Sequence, residues 1–152
     1  MKKLYIYVDA SVIGGCEDSE FAEVSLDLWR LFIKGFYIQV LSEHTLRELR
    51  EAPESIRARL LEIPEAHQVV LPDTSEAEAL AEAYLAHGIV GPGSRSDALH
   101  VALATIGRVD VMVSWNFKHI VQPWQDSDVQ CSEFGARIWL NRNSNSKGGV
   151  IR

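Results

Sequence analysis

Short apolar runs alternate along this chain with longer stretches in which apolar residues recur every three or four positions. The first run, Leu4-Tyr5-Ile6-Tyr7-Val8, is aromatic and β-branched, so residues 3–8 read as a buried strand. The Gly14-Gly15 pair makes 10–16 a loop. Phe21, Val24, Leu28, Leu31 and Phe32 keep helical spacing, which predicts an amphipathic helix over 17–34 closed by Gly35. A second strand is expected over 36–41, a short helix over 45–52 stopped by Pro53, and a further helical stretch over 54–61. Residues 68–71 suit a short strand, and 75–87 form a strong helix pattern with alanine and leucine on one side and glutamate on the other. Three glycines and a proline make 88–94 a loop. The helix expected over 95–106 is mostly apolar and therefore central. A strand over 109–114 and a short helix over 116–121, before Pro123, complete the regular pattern. Beyond it, 125–133 is polar and unassigned, and 137–140 suits a last edge strand.

Strands alternating with helices imply an α/β fold with a mostly parallel sheet. At 152 residues, with nearly half of them hydrophobic, the chain is long enough to bury a core without staples. One domain is expected over 1–140. Residues 141–152, rich in asparagine, serine and glycine, read as a flexible polar tail.

Composition changes the picture in three ways. The formal net charge of -6 argues against a broad basic surface. It leaves room for nucleic acid if the acids gather in a metal site, since Arg47, Arg50, Arg57, Arg59, Arg95, Arg108 and Lys118 supply local positive charge. Cys16 and Cys131 lack zinc-site spacing and suit free thiols in a reducing cytoplasm. Residues 1–8 carry no secretory pattern, and no run approaches the roughly 20 apolar residues of a membrane span. A cytoplasmic location is the resulting expectation.

Candidate chemistry falls on four polar residues at the ends of apolar runs or the starts of helices: Asp9, Glu48, Asp97 and Asn116. In an open α/β sheet, sites form beyond the carboxyl ends of the strands. Acids gathered there repel one another unless they share a cation, which points to a hard metal held by oxygen ligands. Each residue also has a structural explanation. Asp9 suits a turn or helix cap. Glu48 closes a capping box in Thr45-Leu46-Arg47-Glu48, and Asp97 does the same in Ser94-Arg95-Ser96-Asp97. Asn116 suits an N-cap. Glu43 and Glu51 are alternative acids, although each stands four residues from Arg47 and can simply pair with it. Ser114, Asn116 and Lys118 are placed to orient water or a phosphate oxygen. His100, three residues after Asp97, reads as a packed, hydrogen-bonded histidine rather than a ligand. A serine hydrolase and a P-loop NTPase are disfavoured by the absence of GxSxG and GxxxxGK[ST]. A receiver-type phosphoacceptor would want paired acids after the first strand, where 9–12 supply one.

The ordered set Tyr7-Val8-Asp9-Ala10-Ser11-Val12, Ser42-Glu43-His44-Thr45-Leu46-Arg47-Glu48-Leu49, Ser96-Asp97-Ala98-Leu99-His100-Val101-Ala102-Leu103-Ala104 and Val113-Ser114-Trp115-Asn116-Phe117-Lys118-His119-Ile120-Val121 resembles PIN-domain proteins. It is most similar to the VapC-like toxins of type II toxin–antitoxin pairs, over roughly residues 3–121. The resemblance implies a three-layer α/β/α sandwich around a mostly parallel central sheet. It also implies a ribonuclease dependent on Mg²⁺ or Mn²⁺, with Asp9, Glu48 and Asp97 as metal ligands and catalytic acids. Asn116 stands where many members carry a fourth acid. RNA as substrate, a cognate antitoxin and self-association as a homodimer are further expectations of the resemblance. The competing class is a PIN-like protein- or RNA-binding module without useful catalysis, which Asn116 and the acidic balance favour.

Overall fold

The structure is a computed structural model that describes residues 2–87, 95–115, 124–126 and 137–141. Its sheet begins with β1 (Leu4–Val8), β2 (Tyr37–Ser42) and β3 (Gln68–Leu71), and continues with β4 (Val111–Ser114), β5 (Trp124–Asp126) and β6 (Arg137–Asn141). The strand order is β3-β2-β1-β4-β6-β5. The first four strands in that order run parallel, and β6 and β5 are added antiparallel. From β1 the chain winds outward through β2 and β3, then returns to place β4 on the other side of β1. That reversal puts a topological switch point between β1 and β4.

Helices cover both faces. On one side lie α1 (Ala10–Gly15), α2 (Ala22–Lys34) and α3 (Glu43–Leu49); on the other lie α5 (Ser75–Ala86) and α6 (Arg95–Ile106). The short α4 (Glu54–Arg57) and two 3₁₀ turns, Ala58–Glu62 and Glu65–His67, connect α3 to β3. The pleat of β1 divides its side chains between two cores. Ile6 and Val8 pack with Val12, Ile13, Trp29 and Phe32, whereas Tyr7 packs with Ala98, Ala102 and the rest of the α5–α6 layer. The α6 helix is buried from Ala98 through Ala104, which explains why its sequence shows almost no polar face. The result is the expected three-layer α/β/α sandwich with a mostly parallel sheet.

Several local expectations change. Residues 10–16 are not a loop: Asp9 caps α1 by accepting from the backbone amides of Ser11 and Val12. Of the Gly14-Gly15 pair, Gly15 serves packing instead. A methyl on Gly15 would stand 2.5 Å from Ser25 Oγ and 2.6 Å from Trp115 Nε1, two groups that hydrogen-bond to each other. The second helix begins at Ala22, later than the periodicity predicts, and ends at Gly35, whose φ of 81° is the left-handed conformation that favours glycine. α3 starts at Glu43 with Ser42 as its cap, because Ser42 Oγ accepts from Thr45 N. The strand at Arg137–Asn141 is not the edge; β5 pairs outside it. The expected loop over 88–94, helix over 116–121 and tail after Asn141 lie outside the described residues.

Candidate active site

The carboxyl ends of β1 and β4 meet at the switch point, and the first site residues meet with them. Asp9 follows the last residue of β1 and is 4% exposed. Its Oδ1 accepts from Ser11 N and from Ser11 Oγ at 2.6 Å. Its Oδ2 accepts from Ser114 Oγ, at the end of β4, at 2.8 Å. Asp9 is therefore both a helix cap and a carboxylate fixed across the switch point. Oδ1 is taken up by these donors and by Val12 N, whereas Oδ2 keeps a second lone pair beside its bond to Ser114.

Glu48 is the second centre. The capping-box explanation for it fails, since Ser42 rather than Thr45 caps α3. Its carboxylate instead reaches across to α6: Oε2 accepts from Ser96 Oγ at 2.6 Å and Oε1 meets His100 Nε2 at 2.8 Å. Burial alone would raise this carboxyl, but the His100 hydrogen bond and charge, the Ser96 hydroxyl and His44 outweigh it and hold the group at about 2. Glu48 is thus an ionised carboxylate with 31% of its side chain open to solvent.

His100 is the buried partner of Glu48. It is 1% exposed, and its Nδ1 lies 2.6 Å from the Tyr7 hydroxyl. Tyr7 Oη in turn lies 2.8 Å from Ser42 Oγ. Burial chiefly keeps this phenol protonated, well above its ordinary range; the Ser42 and Thr45 hydroxyls oppose that, and the charges of Asp9 and Glu48 reinforce it. Tyr7 therefore feels both carboxylates. His44 completes the cluster, with Nε2 2.7 Å from Ser96 Oγ and 3.8 Å from Glu48 Oε2. Its ring stacks at a tilt on His100, with centroids 4.6 Å apart. Burial, then repulsion from His100, lowers its proton affinity.

The structure sorts the residues singled out in sequence as follows. Asp9 and Ser114 are joined directly. Glu48 is joined to α6 on either side of Asp97, through Ser96 one residue before it and His100 three residues after it. Asp97 itself lies in the first turn of α6, where a helix N-terminus favours negative charge. Its candidate cap Ser94, together with Asn116 and Lys118, lies outside the described residues. His100 is packed and hydrogen-bonded, as expected. Glu43 is exposed and accepts from Asp73 N, and Arg47 pairs with Asp73 rather than with Glu43 or Glu51. Tyr7, Ser42, His44 and Ser96 were missed. The usable signal for His44 was its spacing of four residues before Glu48, which puts both on one face of α3. Arg57 donates to backbone carbonyls, and Arg59 and Arg95 pair with glutamates, so much of the local positive charge is already engaged.

No family model matches the sequence, and no curated protein matches it. Among solved structures, the chain is similar to VapC20 of Mycobacterium tuberculosis, a toxin that cleaves the sarcin-ricin loop. The TM-score is 0.57 at 17% identity, over 74% of this chain and 89% of that one. The sheet order, the two helical layers and this likeness agree with the resemblance read from the motifs: the chain has a VapC-like PIN fold.

Proposed function

We propose that this chain is a Mg²⁺- or Mn²⁺-dependent endoribonuclease that hydrolyses RNA phosphodiester bonds and serves as the toxin of a toxin–antitoxin pair in the cytoplasm. One observation carries the reading. Two ionisable carboxylates, Asp9 and Glu48, are held by hydroxyl, amide and imidazole groups at the carboxyl-end edge of a PIN-fold sheet. The structural likeness to an RNA-cleaving toxin supports it.

The donor chemistry fits a hard cation. Glu48 is held ionised well below the usual carboxylate range, and hydrogen-bond donors orient both carboxylates while leaving lone pairs on Asp9 Oδ2 and on Glu48 for a further ligand. Asp9, Glu48 and Asp97 would hold the ion. When bound, it supplies Lewis-acid stabilisation of the charge that develops on the phosphoryl oxygens and makes water a better nucleophile. The remaining work belongs to the chain. Ser114 fixes Asp9, Ser96 and His100 fix Glu48, and a carboxylate accepts the proton of the attacking water. Asn116 orients water or substrate, and Lys118 meets a phosphate oxygen. A single-stranded or loop RNA is the proposed substrate, because its backbone can splay into a cleft.

The deciding measurement is RNA cleavage by purified protein with Mg²⁺ or Mn²⁺, compared with chelator and with Asp9→Asn. Cleavage that needs the ion and is lost in the variant is expected. RNA binding without cleavage under any of these conditions would favour the inactive binding module instead.

A further inference from the structure

The proposed nuclease ligands leave part of this centre unused. His44, Glu48 and His100 each present one ligand atom, and the three atoms lie within 4.8 Å of one another. His44 comes from the same face of α3 as Glu48, and His100 comes from α6, so two packed helices bring the set together. We propose that His44, Glu48 and His100 form a binding site for a borderline transition ion of the zinc class, separate in its donors from the all-oxygen site and sharing only Glu48 with it. Imidazole nitrogen with one carboxylate suits such ions, whereas Mg²⁺ takes oxygen.

The distances fit a small adjustment, one pair opening and the other closing. An ion about 2.1 Å from each ligand in tetrahedral geometry needs ligand atoms roughly 3.4 Å apart. The observed separations are 2.8 Å for His100 Nε2 to Glu48 Oε1 and 3.8 Å for His44 Nε2 to Glu48 Oε2. Protons now bridge the space the ion would take: Ser96 Oγ lies between His44 Nε2 and Glu48 Oε2, and His100 Nε2 meets Oε1 directly. Ligation requires His100 to give up its Nε2 proton and carry one on Nδ1, where it must have an acceptor. The structure supplies one 2.6 Å away, the buried Tyr7 hydroxyl. Tyr7 can then donate to Ser42 Oγ at 2.8 Å, and Ser42 to Thr45 Oγ1 at 3.2 Å. These hydroxyls reverse direction by rotation alone, so the buried chain satisfies His100 in either tautomer. His44 Nδ1 now accepts from the exposed Arg47 guanidinium at 3.5 Å, and ligation through Nε2 requires Arg47 to swing away so that Nδ1 can carry its proton toward water. Three protein ligands leave a fourth position open.

A consequence follows that rests on the proposed nuclease reading. An ion held by the two histidines takes Glu48 from the oxygen site, so zinc-class ions suppress Mg²⁺-supported cleavage.

Cobalt(II) is the probe, because its visible ligand-field bands report nitrogen and oxygen donors. Titration of the full chain should give saturable binding of one equivalent, displaced by Zn²⁺ and not by Mg²⁺. His44→Ala should weaken it by at least about tenfold, and His100→Gln likewise. Asp9→Asn should leave it in place. Far-ultraviolet circular dichroism checks each variant's fold; if His100→Gln unfolds, the half-buried His44 carries the test, with His44→Gln as its second form. The proposal is overturned by absence of the bands, by unchanged affinity in a folded His44 variant, by loss in Asp9→Asn with retention in His44→Ala, or by a thiolate charge-transfer band. The regulatory consequence is read as the ratio of cleavage rates with and without Zn²⁺. That ratio should be far below one in the wild type and near one in His44→Ala. Failure of Mg²⁺-supported cleavage with intact cobalt bands would reject the nuclease and keep the site; the reverse would reject the site alone.

Discussion

Glu48 is held from three sides, by Ser96, by His100 and at longer range by His44. Its loss should separate structure from chemistry. In Glu48→Gln the amide keeps one acceptor and can still meet His100 or Ser96, and no helix cap is involved, so the protein should fold. RNA cleavage should fall by orders of magnitude, because the charge the cation needs is gone. A folded variant with wild-type cleavage would remove Glu48 from the site. The same residue shapes the acid limb of stability in metal-free protein. Its carboxyl has an ordinary value of 4.5 and is held at about 2 in the fold. A depressed carboxylate contributes stability that is complete above its unfolded value and disappears as pH falls through the folded one. Chemical denaturation from about pH 5 down to pH 2 should therefore show a shallower loss in Glu48→Gln than in wild type. Partial exposure of Glu48 keeps that difference modest.

At the scale of elements, β2 carries an anomaly that the site does not explain. Gln39 is fully buried in the middle of the parallel sheet, and among the described residues neither of its amide atoms has a hydrogen-bond partner. An unpaired buried amide costs about 1–3 kcal/mol. Methionine has a similar length, no amide and flexible packing. Gln39→Met should accordingly raise the free energy of unfolding by roughly 1–3 kcal/mol in a denaturant titration. A loss of stability would mean that the amide has a partner such as ordered water. The helices tell the opposite story, of local patterns that served two purposes at once. Asp9 caps α1 and anchors the switch point; the Gly14-Gly15 pair sits inside α1, where a side chain on Gly15 would strike the Trp115–Ser25 contact.

For the whole molecule, the proposed ion should matter to stability as well as to cleavage. A cation that binds only the folded state raises the melting temperature by mass action. Millimolar Mg²⁺ or Mn²⁺ should raise it in the wild type and raise it less in Asp97→Asn. An equal shift in both would place the ion elsewhere. Assembly is a second matter at this scale. Trp29 and Phe32 are 1% and 0% exposed in the core, so neither is available to an interface. Phe36 at 61% and Leu61 at 86% remain on the surface. A homodimer is still the proposed state, and light scattering at micromolar concentration should return twice the 17.0 kDa chain mass. A monomeric mass would reject it. No described helix is long and apolar enough to cross a membrane.

The sequence by itself determined the sheet's mostly parallel character, the strand that leads into Asp9 and the place of Asp97 in the first turn of α6; it put Glu48 at a helix start, whereas α3 begins at Glu43 and carries Glu48 in its last turn. These follow from local causes: a short β-branched run has one way to be buried, and apolar spacing fixes which helix face turns inward. The strand expected at the edge, β6, lies inside β5, because edge position depends on which strand pairs outside it. Tertiary structure alone decided the rest. It chose Ser42 over Thr45 as the cap of α3, which released Glu48 to reach α6. It brought Ser114 to Asp9 across 105 positions of chain and Tyr7 to His100 across 93. Single-chain periodicity reports how a residue faces the core, not which distant hydroxyl or imidazole it will meet there. That meeting is set by strand order and by the packing of α3 against α6, and the site's chemistry depends on it.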